Sequence, residues 1–261
     1  AGWHGNNLKE QPRRTVCATG TYSPKIGDKA TGVSICTACP AGTFSISVAA
    51  TTESNCQKCP KGTYNVQVGA GHPSLCASCE IGRYGKLEAR TTPCTKCDPG
   101  QFKKEPASYT ECKTCPQGWM QKNYSASRCE ICLPGTAQID AGQTQCPECG
   151  VGKFASSAKS VSCVECVSGR HQSERGSPLC IGCIPGRTAI SPGMSVCSMC
   201  SKGKFQDQIA AQVSCLLCPE GYSQSSEGQA SCIKCGSGTF QNQLSQDNCK
   251  ECAANLFNTQ E

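Results

Sequence analysis

Apolar residues in this chain recur at long, even intervals, and no window sustains the 3.6-residue period of an amphipathic helix. Gly or Pro punctuates the chain too often for more than a single helical turn to be expected. The recurrent apolar position is an aromatic slot, occupied by Tyr22, Phe44, Tyr64, Tyr84, Phe102, Phe154, Phe205, Phe240 and Phe257, with Trp119 and Tyr222 one place earlier. All six phenylalanines of the chain fall in it. Each slot follows a turn signature: in Cys39-Pro40-Ala41-Gly42-Thr43-Phe44-Ser45, Pro presets φ, Gly supplies a left-handed residue, and Thr-Phe-Ser suits a short strand. A polar, small-residue bend over Ser47 to Ser54 and a return into Cys56 complete a small hairpin, pinned at its open end. The aromatic then serves as a miniature core, packing on an adjacent disulfide or on the neighbouring turn. Three units place Ala137, His171 and Thr188 in the slot, and these are expected to be weak joints.

The hairpin is one unit of a tandem array. Units open at Cys17, Cys39, Cys59, Cys79, Cys97, Cys115, Cys132, Cys149, Cys166, Cys183, Cys200, Cys218, Cys235 and Cys252, and a Cys-x-x-Cys closes each of the first thirteen while opening the next. The fourth position of each is Gly, except for Asn255 in the last. Glycine with one asparagine is the signature of a backbone that must take positive φ. Successive openings are 22 residues apart at the start and settle to 17 or 18, the pattern of stacked repeats that contact mainly their neighbours.

Composition changes the picture from burial to covalent closure. Val, Ile, Leu and Phe number 37 of 261 residues, too few for a sizeable core, whereas 27 cysteines are the mark of a disulfide scaffold. Three pairings compete. If each unit closes on itself, Cys17 pairs with Cys36, Cys39 with Cys56, Cys59 with Cys76, Cys79 with Cys94, Cys97 with Cys112, Cys115 with Cys129 and Cys132 with Cys146. The series continues with Cys149 and Cys163, Cys166 and Cys180, Cys183 and Cys197, Cys200 and Cys215, Cys218 and Cys232, and Cys235 and Cys249. Only Cys252 is then unpaired, its partner falling past Glu261 in a repeat cut short. Bridging within each Cys-x-x-Cys strands Cys17 and leaves the loops open, and crossing consecutive pairs is the third arrangement; sequence does not decide connectivity, and the self-closing one is preferred. Disulfides on this scale place the chain in an oxidising compartment, secreted or at a cell surface.

Other chemistry is set aside. Cys-x-x-Cys pairs at this spacing also suit zinc ribbons, but thirteen pairs plus Cys17 do not divide into four-ligand sites, so neither metal nor cofactor is expected. His4, His72 and His171 lie scattered, without a repeating nucleophile or carboxylate, and no enzymatic site is nominated. Basic runs are limited to Arg13-Arg14 and Lys103-Lys104, which argues against nucleic acid. No apolar run approaches the roughly 20 residues that span a bilayer. Residues 1–130 carry 16 Lys+Arg against 9 Asp+Glu and residues 131–261 carry 9 against 10, a mild asymmetry read as solvated surface. Asn123-Tyr124-Ser125 is the sole Asn-x-Ser/Thr sequon and marks a candidate glycan in an exposed loop.

The pattern Cys-Pro-x-Gly-Thr-[Phe/Tyr], as at Cys39 to Phe44 and Cys59 to Tyr64, with its closing Cys-x-x-Cys, resembles the ephrin-receptor-type cysteine-rich repeat and the simplest tumour-necrosis-factor-receptor module. That resemblance, running over about residues 17 to 257, implies an extracellular, elongated string of modules, as in surface, stalk or filament proteins. The uniform 17-residue spacing departs from tumour-necrosis-factor receptors, which mix modules. The expected fold is therefore small, disulfide-rich and irregular to all-β: a tandem array of disulfide-closed hairpins forming a solenoid-like rod. Residues 1–16 form a lead or the tail of a preceding domain, 17–251 the thirteen repeats and 252–261 the start of a fourteenth. The expected role is an extracellular spacer, stalk or filament element with protein partners or self-assembly, the alternative being a receptor or adhesion ectodomain that binds a protein ligand.

Overall fold

The computed structural model describes residues 16–24 and 35–253. Trp3, His4, Asn255, Phe257 and most of both terminal segments lie outside the described residues. The repeats are numbered here from the one opening at Cys17 (repeat 1) to the one opening at Cys235 (repeat 13).

Each repeat begins with a tight turn because the sequence supplies its one unusual dihedral. In repeat 2 the N–H of Thr43 donates to the Pro40 carbonyl at 3.2 Å and Gly42 between them takes φ +80°, the left-handed third position of a type II turn. The Thr43 hydroxyl donates to the same carbonyl at 2.7 Å, which is why Thr recurs after the glycine. Two extended residues follow. Thr43–Phe44 pairs antiparallel with Gln57–Lys58, so the second strand is made of the two residues inside the Cys-x-x-Cys. The same pairing recurs from Thr21–Tyr22 with Thr37–Ala38 to Thr239–Phe240 with Lys250–Glu251, in twelve separate two-stranded sheets. A strand of two residues has little stability alone, but here the disulfide and the next opening cysteine hold its ends: the N–H of Cys59 donates to the Gly42 carbonyl at 2.9 Å.

Repeat 7 shows what the ladder needs. Pro147 stands at its second strand and lacks an N–H, so the hairpin shrinks to a single bridge, Thr136 with Glu148, supported by Ala137 N–H to the Pro147 carbonyl at 3.1 Å. Among the described residues, helix is confined to single 3₁₀ turns, Glu53–Asn55 and Pro73–Leu75, in the loops of repeats 2 and 3.

Thirteen disulfides join the first and last cysteine of each repeat, from Cys17–Cys36 to Cys235–Cys249, with Cα–Cα distances of 5.5–5.8 Å. The opening cysteines from Cys39 to Cys218 are among the most deeply buried side chains of the described residues, Cys39, Cys59 and Cys79 having no exposed surface, so sulfur occupies the place of an aliphatic core. Two compact bodies are distinguished: residues 1–115 with 121–129, and residues 116–120 with 130–261. Within each body the same contacts run from repeat to repeat.

Candidate functional site

The chemistry of this chain is concentrated at the joint between repeats. The N–H of each turn glycine from Gly20 to Gly221 leaves its own repeat and donates to the carbonyl one place after the slot in the next: Gly42 to Asn65 at 2.8 Å and Gly82 to Lys103 at 3.0 Å in the first body, Gly152 to Gln172 at 2.7 Å and Gly203 to Gln224 at 2.8 Å in the second. A return bond comes from the bend of the next repeat to the opening cysteine of the one before, as from Gly69 to the Cys39 carbonyl and from Ser245 to the Cys218 carbonyl, at 2.8 and 2.9 Å.

The bend holds a second left-handed residue. Ala49, Ala89, Ala107, Ser125, Lys159, Ala210 and Ser245 all have φ between +51° and +64°, and Gly69, Gly142, Gly176, Gly193 and Gly228 occupy the same place in other repeats. The carbonyl of this bend residue lies against the turn glycine two repeats earlier. A Cβ on Gly42 would stand 2.2 Å from the Ala89 oxygen, one on Gly82 1.9 Å from Ser125, one on Gly152 1.9 Å from Gly193 and one on Gly203 2.2 Å from Ser245. Contacts therefore extend beyond the nearest neighbour. They also bear on why the turn keeps glycine while the bend does not: the nearest atoms to a Cβ at the bend belong to side chains at 3.2 Å or more, the Ala38 Cβ at 3.6 Å from Gly69, Glu148 at 3.2 Å from Gly176 and Met199 at 3.3 Å from Gly228.

The slot packs forward onto sulfur. Phe44, 8% exposed, clusters with Cys59, Cys76 and Ala70 of the following repeat. His171, in the same place in repeat 9, sets its Nδ1 3.1 Å from Cys197 Sγ of repeat 10, and Ser223 its Oγ 3.2 Å from Cys249 Sγ of repeat 13. The atypical slot residues are filled positions, Ala137 and Thr188 each being buried. Trp119 takes a cation instead: Lys159 Nζ, from the bend two repeats later, lies 4.8 Å from its ring centroid.

One place after the slot is a buried polar column. Gln121, Gln138, Gln172, Gln224 and Gln241 each accept from the N–H two residues on and donate from Nε2 to the carbonyl just before the closing cysteine, as Gln121 does with Asn123 at 2.9 Å and Arg128 at 2.7 Å. The side chain thus clasps a loop that has no apolar interior. The clasp reaches seven residues along, which matches loops whose cysteines are 14 apart. Where the loop is one residue longer, the donor must be longer: Lys103 in repeat 5 donates from Nζ to Thr110 and to the Glu111 carbonyl at 3.1 Å. Gln206 sits in another loop of that length, Cys200–Cys215, and its buried Nε2 has no partner. A search for apolar positions passes over this column, although Gln recurring immediately after the slot is visible in the sequence.

The remaining candidates are dispersed. His72 accepts from the Ser74 N–H and caps the Pro73–Leu75 turn. His171 has Cys183 and Cys197 as neighbours, the three ligand atoms lying within 4.8 Å, but these sulfurs are bonded to each other and are not the thiolates that zinc takes. Cys252 forms no disulfide, and its N–H donates to the Gly238 carbonyl at 2.9 Å. Asn123 is exposed in the bend of repeat 6. On the surface of repeats 4 and 5 Lys86 and Glu111 form an ion pair. Its hydrogen bond and charge hold the Glu111 carboxyl below, and the Lys86 ammonium above, their ordinary values. No helix among the described residues is long and apolar enough to cross a membrane.

The family described as tyrosine-protein kinase ephrin type A/B receptor-like matches residues 30–76, 188–228 and 221–261. No curated protein matches the chain.

Proposed function

We infer that this chain, which matches the ephrin-receptor-like family over residues 30–76, 188–228 and 221–261, acts outside the cell as a non-catalytic spacer or stalk of limited extensibility. The observation that carries this reading is covalent closure repeat by repeat. Between Cys149 and Cys166, tension passes through a bridge whose Cα atoms are 5.5 Å apart and then through three residues. At about 3.6 Å per residue that path stretches to about 16 Å, against about 60 Å for the same 17 residues once the bridge is opened. The loops are thereby shielded from load, while the turn-to-bend contacts govern bending. Disulfides in this number also support an extracellular setting.

Force–extension of the full chain pulled by its ends tests the reading. Oxidised, it should reach a ceiling near 16 Å per repeat, and reduced, nearly four times that. A ceiling unaffected by reductant would remove the mechanical role. A second reading, a protein-binding ectodomain, is favoured by one feature: the strand position facing the slot carries exposed Val164, Ile181, Leu216 and Ile233 in the second body.

A further inference from the structure

We propose that Asn123 is a site of N-linked glycosylation whose occupancy is limited by the closure of repeat 6 onto repeat 4. The inference rests on the extracellular reading above. Its warrant is the opposite fate of the two ends of Asn123-Tyr124-Ser125. Asn123 is exposed at the crest of the bend, and Tyr124 beside it is 63% exposed, so the fold leaves room for a bulky polar group there.

Ser125 faces inward. Its φ is +56°, its N–H donates to the Cys97 carbonyl at 2.9 Å, and its own carbonyl packs where a Cβ on Gly82 would stand. Its Oγ is buried without a partner. A buried hydroxyl left unpaired disfavours the folded state, and Ala49, Ala89, Ala107 and Ala210 occupy the same bend position without one. The Ser125 hydroxyl therefore gives the folded repeat nothing. It is what an Asn-x-Ser acceptor needs before folding, while the segment is extended and the hydroxyl is open to a transferase.

In the transfer, Nδ2 of Asn123 attacks the anomeric carbon of an oligosaccharide carried on a lipid diphosphate. The nitrogen–carbon bond forms, the anomeric carbon–oxygen bond breaks, the lipid diphosphate leaves with the electron pair, and the amide gives up one proton to a base of the transferase. Once Ser125 has seated against Gly82 the acceptor is withdrawn, so transfer and closure compete.

The full chain, expressed behind a secretory leader in a cell that makes N-glycans, tests this through mass mapping of Asn123 after glycosidase release in heavy-oxygen water. We expect partial occupancy in the secreted chain, a several-fold rise in the occupied-to-unoccupied ratio when a membrane-permeant dithiol delays closure, and loss of the glycan in Ser125→Ala with the chain still folded and secreted. Gly82→Ala, which obstructs the seat, should raise occupancy without reductant. A secreted, disulfide-bonded chain with Asn123 unmodified, or one whose occupancy ignores both dithiol and Gly82→Ala, overturns the proposal alone. A chain that stays inside the cell with its cysteines reduced overturns the extracellular reading and the proposal with it.

Discussion

Gly203→Ala and Gly221→Ala change the same motif position in adjacent repeats, yet they should differ sharply in cost. Both glycines are left-handed, at φ +73° and +80°. Alanine in that region costs about 1 kcal/mol at either site, and its effect on the unfolded chain is shared, so both terms cancel in the comparison. The difference lies two repeats on. A Cβ at position 203 meets the Ser245 oxygen at 2.2 Å, whereas one at position 221 meets nothing within 4 Å among the described residues. Relieving that overlap moves the repeat 13 bend by about 1 Å, enough to break Gly203 N–H to Gln224, at 2.8 Å, and Ser245 N–H to Cys218, at 2.9 Å. At about 1 kcal/mol per bond, Gly203→Ala should cost about 2 kcal/mol more than Gly221→Ala. With tenfold per 1.4 kcal/mol, that is about thirtyfold. Native-state hydrogen exchange is the suitable assay because a repeat array opens locally and no single unfolding energy describes it. The Ser245 amide should exchange about thirtyfold faster in Gly203→Ala than in Gly221→Ala. Equal exchange in the two variants would show that φ alone keeps glycine at the turn and that the approach of the bend carbonyl carries no energy.

Other outcomes follow from the joint. Gln121→Leu removes two buried hydrogen bonds and should cost about 2 kcal/mol, while Gln206→Leu, whose Nε2 is already unpaired, should cost about half that or less, read as amide exchange in repeats 6 and 11. Phe44→Ala strips the slot from the Cys59–Cys76 bridge and should cost about 3 kcal/mol locally, leaving distant repeats with unchanged exchange. Glu111 titrates below its ordinary value of 4.5 because of the hydrogen bond and charge of Lys86, so its stabilising contribution is present above that value and fades as pH falls through the lowered midpoint. The contribution of Lys86 is present below 10.5 and fades as pH rises past its raised midpoint. Lys86→Met should move the Glu111 midpoint upward in an NMR titration, and an unmoved midpoint would mean the pair does not form in solution.

What was legible in the sequence was whatever recurs with one residue type. Cys, the turn glycine and the aromatic after it repeat with little variation, and they sufficed for the hairpin, the disulfide-rich all-β class and the ephrin-receptor-like resemblance. The left-handed residue of the bend was not legible, because it is Ala, Gly, Ser or Lys, and a carbonyl that packs through its oxygen puts no demand on its own side chain. The reach to the second neighbour was hidden for the same reason: a glycine reports that space is short without saying what fills it. Glutamine recurs plainly at Gln121, Gln138, Gln172, Gln206, Gln224 and Gln241, but a polar residue in the interior makes sense only once the loop carbonyl that all but Gln206 satisfy can be seen. Lys103 in the same column reads as a surface charge until the longer loop around it explains its length.

The fold depends on sulfur bridges that close each loop upon itself. Proteolysis of the native chain without reductant, followed by mass mapping of the linked peptides, tests this most directly. It should find only within-repeat links, Cys39 with Cys56, Cys115 with Cys129, Cys235 with Cys249 and their counterparts, with Cys252 the one cysteine outside them. Links that join neighbouring repeats, or a set of free thiols, would contradict it.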